Sequence, residues 1–170
     1  TVSAESIPLG EIAAAIGRGT SSGSDEVFEI QLLEDGSDTV TCSSEVEDEF
    51  PVESEILRKP IHSTDFGKYS FTEDPNKRLI WPYTSSYDLI TKEDISTLYP
   101  KAWAYLERNR DRLENRADYS KWYDYSAPRN LSIHDRAEIL IPLLADGPSF
   151  AEYPKPQSDY ALMASGGFAI

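Results

Sequence analysis

The chain is short of the residues that cross-link, ligate metals or anchor proteins to membranes. It has one cysteine, Cys42, among 170 residues. An internal disulfide framework is excluded, and a reducing compartment, the cytoplasm, is expected. There are two histidines, His62 and His134, and no zinc-ligand spacing joins them to Cys42. No bound metal is expected. No apolar run approaches the ~20 residues of a membrane span, and no basic-then-apolar leader is visible. The first residue is Thr1 and not Met, which raises the expectation of a piece cut from something longer. At this length one domain is the natural prior, with a core large enough to need no staple.

Basic residues are also scarce, 16 against 30 acidic ones, for a net charge of −14. Their distribution is uneven. Residues 1–57 carry 14 acids and one base, Arg18, whereas residues 58–136 carry 14 bases and 12 acids. A polyanion would be repelled by the first third. Any nucleic-acid contact must therefore come mainly from the middle, with the acidic third facing away.

Periodicity and turn chemistry predict an α+β fold: a mixed, mostly antiparallel sheet with a few helices. Leu9, Ile12, Ala13 and Ile16 fall on one helical face, with Gly17 placed to stop it. Residues 18–25 read as a loop. Val27–Leu32 and Thr39–Cys42 read as a hairpin about Asp35-Gly36. Residues 43–55 read as a mostly acidic, exposed stretch, and Pro60 as the end of whatever Glu53–Lys59 forms. Lys68–Phe71 and Arg78–Trp81 read as strands, the latter short or at an edge because Pro82 follows. Thr91–Asp94 suits a helix cap. Tyr99-Pro100 opens the longest helix, to about Arg116. Trp103, Leu106, Arg110 and Leu113 lie on one of its stripes, and Arg108, Arg112 and Arg116 on another. Short strands are expected at Glu138–Leu144, Phe150-Ala151 and Tyr160–Met163.

Two segments carry candidate chemistry. Gly19-Thr20-Ser21-Ser22-Gly23 matches the pattern of a nucleophile elbow, but it lies between a helix and a strand, the reverse of the order an elbow needs. Its backbone N–H groups could instead meet phosphate. A hydrolase using Ser21, or a nuclease using Glu53 and Glu55 with Lys59, is the weakest reading. Lys121, Trp122, Tyr123, Tyr125, Arg129 and Asn130 interleave bases and aromatic rings, which suits stacking and phosphate contact. The rings equally suit a core. Arg can give guanine two parallel donors, and Asn can pair with adenine through two hydrogen bonds.

In order, these strings resemble the Taq-like C-terminal specificity domain of adenine-N6 DNA methyltransferases and fused type IIG restriction–modification enzymes. The carrying segments are Ile16–Phe28; Ile56–Ile61 with Asp65–Tyr69; Leu79-Ile80-Trp81-Pro82-Tyr83; Tyr99–Leu106 running on to Arg116; Trp122–Leu131; Glu138–Pro142; and Ser149–Ala151. Family members often have an Arg-Gly pair where His62-Ser63 stands here, an Arg at Ala127, and a Lys before the later strand where Ala137 and Glu138 stand. The resemblance implies that residues 1–170 form a target-recognition domain without the methyltransferase catalytic domain, because the catalytic motif is absent. It implies no catalytic residue and no cofactor in this chain, with S-adenosylmethionine serving the parent enzyme. Its implied partners are double-stranded DNA and the catalytic domain of the parent. The DNA-binding candidates are Arg18, Thr20, Ser21, Ser22, Lys59, Lys68, Lys121, Trp122, Tyr123, Arg129 and Asn130. A protein-interaction module that kept the fold and lost DNA contact is the alternative.

Overall fold

The structure, a computed structural model, describes residues 7–145, 147 and 149–170. Alternating apolar residues build its main sheet. Strand β2 (Glu29–Glu34), β3 (Thr39–Ser43) and β4 (Phe50–Glu53) form an antiparallel meander. Its register sets Leu32 opposite Cys42, Cys42 opposite Phe50, and Val40 opposite Val52. Cross-strand partners share a face, so these five residues make one apolar surface. The acidic stretch is thus not wholly exposed, since Phe50 and Val52 are buried in the core. The Phe50 ring stacks on Tyr105, with centroids 3.8 Å apart.

Beyond β2 the sheet continues through β8 (Lys77–Ile80), β5 (Leu57–Ile61) and β11 (Tyr160–Leu162), in the order β11-β5-β8-β2-β3-β4. The strand before Pro82 is short, four residues, as expected, yet it lies inside the sheet, because Pro82 falls just past the end of β8 and costs that strand no ladder donor. The expectation for Pro60 is corrected. Pro60 sits inside β5, opposite Ala161 of the parallel strand β11. Pairing of β5 with β8 stops at Arg58, so the missing N–H of Pro60 is not needed on that side.

A second, four-stranded sheet has the order β1 (Gly17–Arg18), β12 (Phe168–Ala169), β9 (Ile139–Ile141), β10 (Ala151–Glu152). It closes over a smaller core that includes Leu140, Tyr153, Leu162 and Phe66. Beside β10 lies a two-stranded hairpin of β6 (Phe66–Gly67) and β7 (Ser70–Phe71), joined by the two residues Lys68 and Tyr69. The fold is α+β with mostly antiparallel, curled sheets.

The helices are short. The first turn, α1, is confined to Leu9–Ile12 and does not reach Ile16. Ile12 and Ile16 remain 65% and 49% exposed, so these two side chains bury little area to prolong the helix. A single turn, α2 (Asp25–Phe28), precedes β2, so Val27 and Phe28 are helical and not extended. Helix α3 (Lys92–Leu98) is capped as expected, the Thr91 hydroxyl accepting from Asp94 N at 3.1 Å. The long helix is broken at Asn109 into α4 (Pro100–Arg108) and α5 (Arg110–Glu114). Asn109 is buried, and its side-chain amide donates to Tyr105 O at 3.0 Å, an acceptor it shares with its own backbone N–H at 3.3 Å. Trp103, Leu106 and Leu113 face the core, whereas Arg110 turns out to pair with Glu114 at 2.8 Å. Glu53 caps α4 from the sheet, its two oxygens accepting Lys101 N and Ala102 N at 3.0 Å each. This satisfies two orphan donors and places negative charge at the positive end of the helix. The final turn, α6 (Leu131–His134), follows Asn130, whose φ is 53°.

Candidate nucleic-acid interface

The two segments flagged by sequence, more than a hundred residues apart, lie side by side. Ser21 N donates to Ala127 O, and Ala127 N donates back to Ser21 O, both at 3.1 Å. Ser126 N donates to Ser22 O at 3.1 Å, and the Thr20 hydroxyl to Ala127 O at 3.1 Å. The Asn130 side-chain amide reaches Arg18 O at 2.9 Å. Close approach explains one glycine: a Cβ on Gly23, whose φ is 74°, would lie 1.9 Å from Ser126 Oγ. The contact fixes Arg18, Ser21, Arg129 and Asn130 on one joined rim.

Arg116 locks this junction from behind. Sequence periodicity placed it on one helical stripe with Arg108 and Arg112. Instead its guanidinium donates to Ser22 O at 2.6 Å, to Trp122 O at 2.5 Å and to Leu113 O at 2.9 Å. It also lies 5.5 Å from the Phe28 ring centroid. Burial lowers its pKa from the ordinary arginine value, opposed by the Asp124 carboxylate. One side chain therefore holds both loops through their carbonyls.

The candidates have different fates. Thr20, Ser22 and Tyr123 are buried and bonded internally, which removes their side chains from direct contact with a ligand. The Ser22 hydroxyl donates to Asp25 at 2.5 Å, and the Tyr123 hydroxyl to Ile90 O at 3.1 Å. Trp122 is half-buried, its ring 5.1 Å from Trp103 and 5.4 Å from Tyr123. The aromatic part of the segment is thus a core anchor. The adjoining Asp124 is buried and receives Tyr83 OH at 2.7 Å, Tyr125 N at 2.8 Å and Ser120 Oγ at 2.5 Å. Arg18 and Ser21 are half-buried, and Arg18 Nε donates to Ala164 O at 3.4 Å. Lys121, Arg129 and Asn130 are exposed. Lys68 is exposed too, but on the β6–β7 hairpin. Lys59 is half-buried and pairs with Glu73 at 2.9 Å.

The acidic third does not simply turn outward. Glu29 takes Lys77 Nζ at 3.0 Å and His62 Nε2 at 3.1 Å, and Glu47 takes Arg108 at 2.6 Å. Burial raises the Glu29 pKa, but the His62 and Lys77 interactions outweigh it and leave the carboxyl below its ordinary value. A groove of about 740 Å³ between the main sheet and α3 mixes Arg58, Lys59 and Arg78 with Asp35, Glu55, Asp94 and Asp159. Arg58 stacks 4.2 Å from the Trp81 centroid and pairs with Asp135 at 2.7 Å. This groove is electrostatically mixed, its carboxylates opposing a phosphate backbone.

The hydrolase reading finds no support at Ser21, whose backbone is paired with Ala127 while both imidazoles are engaged elsewhere. His134 is buried and accepts Leu162 N on Nδ1 at 2.9 Å; burial and Arg58 push its pKa down to about 3. His62 bridges Ser165 Oγ at 2.8 Å and Glu29 at 3.1 Å, an order of groups that sequence reading missed. Lys77 also holds that carboxylate, and Gly166 N beside Ser165 is already taken by Met163 O at 2.8 Å. The trio ties the loop to the sheet. Among the described residues no three His, Cys, Asp or Glu side chains are grouped to hold a metal, and no helix is long and apolar enough to cross a membrane.

Compared with models of known protein families the chain matches none, and a comparison with curated proteins likewise finds no match.

Proposed function

We propose that the chain is the sequence-specificity module of an adenine-N6 DNA methyltransferase or fused restriction–modification enzyme, working in the cytoplasm. The carrying observation is the joined rim. The Gly/Ser loop and the Arg129-Asn130 loop are fastened to each other by paired backbone hydrogen bonds and clamped by Arg116. A rigid rim holds Arg129 and Asn130 at one place, as base-edge reading requires. Phosphate contacts fall to Arg18, Lys121 and the Ser21 region, with Lys59 and Lys68 further off. The parent's catalytic domain would bind S-adenosylmethionine and flip the target adenine; this chain would grip and read the duplex.

The test is selection from a randomised duplex pool with the 170-residue chain, repeated with Arg129→Ala. The wild-type chain should enrich a short motif. Arg129→Ala should cost about 1–3 kcal/mol on that motif and relax one base position. A pool with no enriched sequence at low salt would overturn the reading. It would favour the second one, a protein-interaction module of the same fold, which the carboxylates among the groove's bases support.

A further inference from the structure

Tyr69 breaks two rules at once. Its φ is 62°, the left-handed region that bulky side chains rarely occupy, at the second position of a two-residue hairpin turn where glycine or asparagine is the usual choice. The residue is also 76% exposed, so packing within the chain does little to offset the strain. Tyr69 N donates to Phe150 O at 2.7 Å, which fixes the turn against the strand region of β10. Lys68 beside it is exposed, with its ammonium 5.7 Å from the Tyr69 centroid. Leu144 and Phe150, 87% and 40% exposed, stand on the neighbouring segment. A cation and an outward ring on a rigid, strained tip form the pairing that inserts beside a base while gripping its phosphate.

We propose that Tyr69 is a stacking wedge for duplex DNA and that Lys68 holds the adjoining phosphate. This rests on the DNA-reading function and extends it to a second contact. The tip lies beyond β10, at the opposite edge of the four-stranded sheet from β1, which carries Arg18. Three strand spacings, ~14 Å, separate those edges. The hairpin adds two more strand widths, and the whole span is still less than one helical turn of DNA, ~34 Å, a length that one duplex can cover. The ring would enter between base pairs, with unstacking offset by the ring–base stack.

The probe is a pair of mixed-sequence duplexes, one intact and one with a central abasic site, where the cost of unstacking is already met. Fluorescence anisotropy at low salt should show the wild-type chain preferring the abasic duplex by roughly tenfold, the scale of one aromatic–base stack. Tyr69→Phe should keep the preference, and Tyr69→Ala should lose it. Lys68→Ala should weaken both duplexes alike. Equal preference in wild type and Tyr69→Ala, with binding intact, would overturn the wedge and leave the reading function standing. No binding to either duplex would overturn both.

Discussion

Two regions place aromatic and basic residues next to each other, and the structure uses them in opposite ways. At residues 121–130 the rings turn inward: Tyr123 is buried, Trp122 packs on Trp103, and Tyr125 closes the core against Phe28 with centroids 5.1 Å apart. Lys121, Pro128, Arg129 and Asn130 are exposed. At residues 68–69 the ring points out, on a backbone that resists it. Adjacency of ring and cation in a sequence therefore does not say which of them meets a ligand. What decides is whether apolar neighbours surround the ring. Residues 121–130 sit over the main core, whereas the hairpin lies at the margin of the smaller one.

That contrast can be broken first at Arg116, which stabilises the inward region. Arg116→Ala should cost about 3 kcal/mol, since its charged donors serve three partly buried carbonyls, of which Ser22 O would keep only Ser126 N. Urea unfolding checks it. Arg116→Lys should recover only part, because a single ammonium cannot span three carbonyls. A loss below ~1 kcal/mol would mean the loops are held by their own backbone pairs.

The next effect is on acid stability. His134 titrates at about 3 when folded and near 6.5 when unfolded. The folded state keeps the imidazole neutral, so its contribution is fully present above pH 6.5 and is lost as pH falls toward 3. The slope is about 1.4 kcal/mol per pH unit between those values. Glu29 and Glu73, both held below the ordinary carboxylate range, act in the same sense at lower pH. The hydroxyl of Tyr160 is the main cause for Glu73. His134→Gln should flatten the slope between pH 6 and 4 in denaturation midpoints.

The smallest effect should have the opposite sign. Tyr69→Gly should raise stability by about 1 kcal/mol, because glycine adopts the left-handed conformation without penalty. A gain in stability with loss of the abasic preference would mark a strained functional residue. A loss of stability would show that the ring packs on the protein after all.

Much of this was legible in the sequence. Alternation at Ile30, Leu32, Val40 and Cys42 marks the first hairpin of the meander, and Thr91 with Asp94 marks a helix start. The rest depended on distant partners. Phe50 and Val52 sit in a run of acids and read as surface, yet α4 arrives to cover them. Asn109 reads as an ordinary helix residue until burial makes its amide bond Tyr105 O. Arg116 fits a surface stripe by spacing, but its true partners lie on loops the spacing cannot see. Tyr69 offers one local signal, a bulky residue where a two-residue turn wants glycine. That signal appears only once Phe66 and Phe71 are known to pair.

The most direct measurement is duplex affinity as a function of salt. Binding through the Arg18–Arg129 rim and Lys68 predicts a log–log slope of roughly −0.9 per phosphate neutralised. That slope should fall by about one unit in Lys68→Ala. Absence of binding at low salt, or affinity indifferent to salt, would contradict a role in gripping DNA.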